Sequence, residues 1–267
     1  MKILKLQPID NNAKIGKICP YIEPNIKEDT LLIEDEQIIG FYIKDISKYS
    51  KRLSSLLAIA NKEFRSDNVP KTLMSRGPQG NKAQKLERLK NDEELVTQYS
   101  TILGSIAPKP HMRRPYPNMS SVHNDKKAQL FIKAMLSAAL ESEKIIKQIA
   151  PKIHEQQIEL FKQVKDKWKF GNLFTSSISN FNIAAPYHKD TANIKGAVNV
   201  ILTKRKNAKG GCLHVPDYDA VFEQCDNSML VYPAWKNVHG VTPIKNTYDD
   251  GYRNSLIFYP LNAFIKI

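Results

Sequence analysis

The chain has 267 residues, 42% of them hydrophobic, and 40 Lys and Arg against 27 Asp and Glu give a formal charge of +13. That length and apolar content allow one large domain and exclude wholesale disorder, while the basic excess favours a polyanionic partner, most often nucleic acid. Three cysteines without CxxC spacing (Cys19, Cys212, Cys225) argue against a disulfide framework and a structural zinc, and no apolar run reaches the length of a secretory leader or membrane span, so a cytoplasmic protein is expected.

The charge is uneven. Residues 171–267 carry 10 basic and 7 acidic side chains, leaving 30 and 20 to the first 170. A Lys-rich proteome produces such an excess without any polyanionic partner, so charge alone does not assign one.

In chain order, residues 31–43 place two apolar runs around a polar turn at 34–37, the pattern of a β-hairpin. A short helix is expected near 49–63 from Leu53, Leu56, Leu57 and Ile59. The loop Met74–Lys82 lacks the Gly-Lys-Ser/Thr ending of a P-loop, but its Arg76 and Lys82 suit phosphate as well as they suit a solvated surface. Pro108–Pro117 has prolines at 108, 110, 115 and 117 among Lys109, His111, Arg113 and Arg114. Proline stiffening holds such side chains out at low entropic cost. This segment reads as a nucleic-acid contact, an active-site rim or a packed crossing. Residues 126–149 give the strongest helical period, from Leu130, Phe131, Ala134, Met135, Ala138 and Ala139, and a second amphipathic helix runs from Pro151 to about Trp168. These helices are expected on the outside of a sheet, with His123 and His154 at the surface.

From residue 171 the apolar period changes from 3.6 to 2, with short runs at 173–183, 197–203, 212–215, 228–232 and 253–259. Such strands are too short and too frequent for βαβ units and suit a jelly roll. The expected fold class is α+β. Residues 1–170 form a basic hairpin-and-helix support and 171–267 the jelly-roll core of one catalytic domain.

Within that half, His188 and Asp190 are two apart, so on a strand they share a face and are placed to grip one ion. A second histidine completes a two-His, one-carboxylate triad, which leaves open positions and suits non-haem Fe(II). Two residues compete. His214 shares a face with Cys212 but has no polar company, whereas His239 precedes Gly240, which permits close backbone approach. Downstream, Arg253 and Ser255 share a face at the start of an apolar strand. A guanidinium there needs an anion, and a carboxylate held bidentately is the natural partner.

The order HxD, distal His, then RxS resembles the 2-oxoglutarate/Fe(II)-dependent dioxygenases over roughly residues 170–262, including the Gly210–Gly211 turn and Tyr232–Pro233. The resemblance implies a double-stranded β-helix, with Fe(II) on His188, Asp190 and His239, 2-oxoglutarate held by Arg253 with Ser255, and O₂ as co-reactant. It also implies a cosubstrate contact from Asn182, or from Asn180 on the same face. Within the superfamily, His188-Lys189-Asp190-Thr191-Ala192-Asn193 and Arg253–Tyr259 are similar to the TET/JBP group. That group hydroxylates the methyl of 5-methylcytosine or thymine in nucleic acid, and Asn193 then matches the residue that touches the target base. The Cys-rich module of animal TET enzymes is absent and Lys189 replaces the usual Arg, which fits a compact microbial or phage enzyme, one making 5-hydroxymethyluracil for example.

A base inside a duplex hides its methyl, so the DNA partner is expected flipped or single-stranded, at a cost of a few kcal/mol. Arg76, Tyr187, Trp235 and Tyr116 are candidate substrate contacts. Two other readings share much of this pattern: a prolyl-type protein hydroxylase, and a non-catalytic DNA-binding jelly roll. The basic charge and Asn193 favour the nucleobase.

Overall fold

The computed structural model describes residues 1–73 and 98–265. The N-terminal part contributes strands β1 (Lys2–Lys5), β2 (Thr30–Glu34), β3 (Gln37–Ile43), β4 (Thr72–Leu73), β5 (Tyr99–Ile106) and β6 (Asn118–Met119). It also contributes helices α1 (Lys51–Arg65), α2 (Gln129–Ile149) and α3 (Pro151–Phe161). The C-terminal part is nearly all strand. It comprises β7 (Ser176–Phe181), β8 (Ala185–His188), β9 (Asn199–Lys206), β10 (Ala208–Gly210), β11 (Leu213–Val215) and β12 (Ala220–Phe222). Then follow β13 (Ser228–Tyr232), β14 (His239–Val241), β15 (Ile244–Asn246) and β16 (Tyr252–Tyr259).

Four-stranded β12-β11-β14-β8 faces the central strands β13-β9-β16-β7 of a larger sheet. The chain passes back and forth between the two sheets, with β11 and β12 adjacent in the smaller one and β10–β15 a separate pair, which is the winding of a double-stranded β-helix. The expected hairpin is present as β2–β3. Its turn residues Asp35 and Glu36 both have positive φ (47° and 59°), the conformation whose twist matches a tight antiparallel pair. Strand β3 then pairs with β13 and β5 with β7, so the N-terminal half lengthens the main sheet on both sides. Sequence patterning anticipates the hairpin and helices but not β5, whose Ser, Thr and Gly residues carry little apolar alternation and which pairs only across distant sequence.

The main sheet is buried on both faces. On β9, Val200 and Leu202 join the core formed with the helices, whereas Ile201 turns toward the barrel interior. On β16, Leu256 and Phe258 face the helices while Arg253, Ser255 and Ile257 face inward. Period-2 alternation here sorts apolar packing to one side and chemistry to the other. The helical layer supplies Leu53, Leu57, Phe64, Phe131 and Met135, with the Phe64 and Phe131 rings stacked at 5.9 Å. Each fully buried large side chain is worth roughly 1.5–3 kcal/mol. Ser50 caps α1 by accepting from the Leu53 N–H at 3.0 Å, and Pro151 ends α2 and begins α3, where a missing N–H costs nothing.

His123 and His154 are not simple surface residues. His123 Nε2 accepts the Gly104 N–H at 2.9 Å, and His154 lies 3.1 Å from Glu143. No helix among the described residues is long and apolar enough to cross a membrane.

Candidate active site

Strand β8 delivers His188 at its end and β14 delivers His239 directly opposite, with ring centroids 4.3 Å apart. Asp190 follows two residues later, with Oδ1 at 3.7 Å from His188 Nε2. The ligand atoms of His188, Asp190 and His239 all lie within 4.8 Å of one another. Each ligand is held from behind. His188 Nδ1 donates to the Pro186 carbonyl at 2.8 Å and His239 Nδ1 to the Asn237 carbonyl at 3.1 Å. A carbonyl can only accept, so the proton sits on Nδ1 and both Nε2 lone pairs are free for a metal. Burial, followed by the field of His188, lowers the pKa of His239 and keeps it neutral, as ligation requires.

Asp190 is held too. Its Oδ2 accepts from Asn199 Nδ2 at 3.1 Å and from Asn193 Nδ2 at 3.4 Å, and the two amides are joined at 2.9 Å. Asn193 is therefore turned inward, 4% exposed, and supports the carboxylate instead of lining the cavity. Asn199, at the first position of β9, shares this task. The sequence signal for it is faint: a polar residue on the inward face of an apolar strand.

Between the two sheets lies a cavity of ≈ 120 Å³, lined at one end by His188, Asp190 and His239 and at the other by Arg253. Ser255 and Asn180 add polar groups, and Ile201, Leu213, Val241 and Ile257 form apolar walls. The Arg253 guanidinium is fully buried, makes no ion pair among the described residues, and leaves Nε without a partner. Burial and the neighbouring Arg205 push its pKa down to about 9. An unpaired cation at the closed end of a cavity calls for an anionic ligand. Gly211 makes room for it, since a Cβ there would meet Arg253 Cδ at 3.2 Å.

Two sequence expectations change, and a third falls outside the described residues. Tyr187, a candidate stacking partner, adjoins His188 on β8 and so points to the opposite face, while a bulge, with His188 paired to His239 and Ala185 to Val241, lets both Ala185 and His188 line the cavity. On the outward face the Tyr187 hydroxyl is hydrogen-bonded with His214 Nδ1 at 2.8 Å. That contact also removes His214 from the metal. Asn182, expected at the cosubstrate, sits past the end of β7 with φ 52°, and its Oδ1 accepts the Arg253 N–H at 2.8 Å. It anchors the backbone of the clamp, and Asn180 faces the cavity instead. Arg76 and its loop lie outside the described residues.

A family model for the TET/JBP oxygenase domain of the 2-oxoglutarate/Fe(II) dioxygenase superfamily matches residues 108–262. The chain belongs to the TET/JBP family. Among solved structures it is similar to NgTET1 in complex with 5mC DNA, at 14% identity over 95% of this chain and 84% of that one, with a TM-score of 0.56. It is also similar to OsALKBH1 (14% identity, 83% of this chain, 96% of that one, TM-score 0.41). A 2OG-Fe(II) oxygenase-family oxidoreductase from Burkholderia pseudomallei gives 13% identity over 76% of this chain and 77% of that one, with a TM-score of 0.39. No curated protein matches the sequence. Like other TET/JBP enzymes, this protein is an oxidoreductase of the dioxygenase class that uses Fe(II), 2-oxoglutarate and O₂. Its cavity fits them: three hard or borderline donors for Fe(II), and an unpaired guanidinium for a distal carboxylate.

Proposed function

We propose that this TET/JBP enzyme hydroxylates the 5-methyl group of a pyrimidine, thymine or 5-methylcytosine, in DNA. His188, Asp190 and His239 would hold the iron, and Arg253 with Ser255 the distal carboxylate of 2-oxoglutarate. When bound, iron and cosubstrate supply the oxidation: O₂ and 2-oxoglutarate become succinate and CO₂, and one oxygen atom is inserted into the methyl C–H. The protein's own part is orientation and exclusion of water. The carbonyls of Pro186 and Asn237 fix the imidazoles, Asn199 and Asn193 fix the carboxylate, and the apolar walls keep the cavity dry.

The observation that carries the DNA reading is the position of the Pro108–Pro117 loop. Gly104 of β5 pairs with Ser176, which pairs with Tyr259. Leu261, two residues past Tyr259, is bridged to Asn193, whose amide reaches Asp190, so this end of the sheet is the one nearer Asp190. Strand β5 runs toward that end, and Ala107 packs with Ile194 and Leu261, the latter bridged to Asn193. The loop therefore leaves the sheet at the end nearer Asp190. A backbone bridge between Lys109 and Arg114 closes it. Lys109, His111, Arg113 and Arg114 are exposed, no acidic residue lies between 107 and 119, and Tyr116 is 75% exposed. Fixed cations and a protruding ring suit phosphates and an unstacked base. NgTET1, which shares the fold, was captured with 5mC DNA, and the run from His188 to Asn193 resembles the TET/JBP motif. With Asn193 turned inward, base recognition falls to other groups at the mouth.

Purified protein with Fe(II), ascorbate and 2-oxoglutarate is expected to convert thymine or 5-methylcytosine in oligonucleotides to the hydroxymethyl base, with one succinate per product. Mass spectrometry of digested DNA reads this. Succinate released with a peptide substrate, and no oxidised base from any oligonucleotide, would sink the proposal.

A further inference from the structure

His239 is fixed by a carbonyl that is itself locked in place, and the lock reaches a part of the chain outside the family-matched segment. Asn237, two residues before the histidine, is buried and its side-chain amide is fully engaged. Its Oδ1 accepts from the Tyr232 hydroxyl at 2.9 Å, and its Nδ2 donates to Asp217 Oδ2 at 2.7 Å. The other Asp217 oxygen accepts from Asn11 Nδ2 at 2.9 Å. Tyr218 places its hydroxyl 3.3 Å from Asn237 Oδ1 and donates to Glu34 Oε1 at 2.6 Å. Glu34 ends β2, its side chain is 10% exposed, and its second oxygen is ion-paired with Lys236, the residue next to Asn237. Strand β2 belongs to the N-terminal hairpin, outside residues 108–262.

We propose that Asn237 is a positioning residue for His239, and that Glu34 steadies this segment through its ion pair with Lys236 and by fixing the Tyr218 ring beside Asn237. Any residue at 237 offers a carbonyl. What asparagine adds is an amide clamped on both sides, so the 237–238 peptide cannot rotate and His239 keeps its Nδ1 proton and inward Nε2. Outer partners of metal-ligating histidines commonly change metal affinity 10–100-fold when removed. Glu34 supplies the hairpin's hydrogen bond and ion pair to this cluster, which gives the N-terminal half a share in the metal site beyond covering the core.

The inference rests on His239 being a metal ligand, and the test separates the two. Co(II) binding to the full-length protein is measured by calorimetry, and the visible d–d spectrum of the Co(II) form reports ligand geometry. His239→Ala is expected to abolish the wild-type spectrum. Asn237→Ala is expected to weaken Co(II) binding about 10–100-fold and shift the bands, with circular dichroism unchanged. Glu34→Ala and Tyr218→Phe are expected to give smaller losses, about three- to tenfold, on the same reasoning that an outer contact matters less than an inner one. Glu34→Gln keeps an oxygen for the Tyr218 hydroxyl but loses the charge that pairs with Lys236, and is expected to recover only part of the affinity. Wild-type affinity and spectrum in Asn237→Ala would overturn the proposal while leaving the metal site intact. If Asn237→Ala fails to fold, wild-type behaviour of both Glu34→Ala and Tyr218→Phe overturns it instead. Failure of the wild type to bind Co(II), or an unaltered spectrum in His239→Ala, would overturn the ligand assignment itself.

Discussion

Asn199 donates its side-chain amide to Asp190 Oδ2 at 3.1 Å and leaves Oδ1 facing His188. One oxygen of the carboxylate is thereby committed to structure and the other is left for the proposed metal. Replacing Asn199 with Ala is expected to lower Mn(II) affinity about 10–100-fold by calorimetry. It also leaves Asp190 Oδ2 without its best donor.

Asn193→Ala tests the same contact from the other side. A smaller loss of Mn(II) affinity is expected, about two- to fivefold, in keeping with its longer 3.4 Å bond to Asp190. A residue that reads the base would behave differently: the KM for DNA would rise while metal affinity stayed level. Measuring both quantities on the same variant decides between the roles.

Arg253→Ala removes the unpaired guanidinium from the closed end of the cavity. The Kd for 2-oxoglutarate is expected to rise at least about a hundredfold, or about 2.8 kcal/mol, with Mn(II) affinity within about twofold of wild type. Calorimetric titration of each ligand separates them, and an equal loss of both would show that Arg253 supports the fold and not the cosubstrate. Lysine at this position is expected to recover only part of the affinity, because it lacks the planar fork.

Gly240→Ala probes the bulged pair that aims His188 inward. A Cβ at 240 would stand 2.8 Å from Cys19 Cβ and 2.9 Å from Tyr187 Cδ1, so β14 must shift away from its neighbours. Overpacking of this kind costs about 1–3 kcal/mol. A lower melting temperature together with weaker metal binding is expected, because His239 is the adjacent residue.

The pH dependence of stability follows from two histidines that must stay neutral. His123 accepts the Gly104 N–H, His214 is hydrogen-bonded with the Tyr187 hydroxyl, and burial lowers the pKa of both. The unfolded chain then takes up protons first, so the stability from these residues is complete above the ordinary histidine pKa of about 6.5 and is lost as pH falls below it. The slope is at most about 1.4 kcal/mol per pH unit per proton, and less for partly exposed groups. The melting temperature of metal-free protein is expected to drop by several degrees between pH 7 and pH 5. His123→Gln should reduce the drop.

Much of this molecule is legible in one dimension because its chemistry is local. His188 and Asp190 are two residues apart, Arg253 and Ser255 share a strand face, and the helices and the β2–β3 hairpin announce themselves by period and turn residues. The family follows from those residues in that order. What the sequence leaves open depends on contacts between distant segments. Strand β5 carries no strong pattern of its own and exists by pairing with β7. Ala185 and His188 both line the cavity because a single extra residue in β8 shifts the parity of the strand, which alternation cannot foresee, and Tyr187 is left on the outward face. Asn182 serves the Arg253 backbone, and Asn193 and Asn199 meet on Asp190 only because β9 returns beside the metal strand. Asn237 meets Tyr218 and, through it, Glu34 from the opposite end of the chain. Local spacing determined which atoms form the site; only the packing of strands against one another decided which side chains hold those atoms in place.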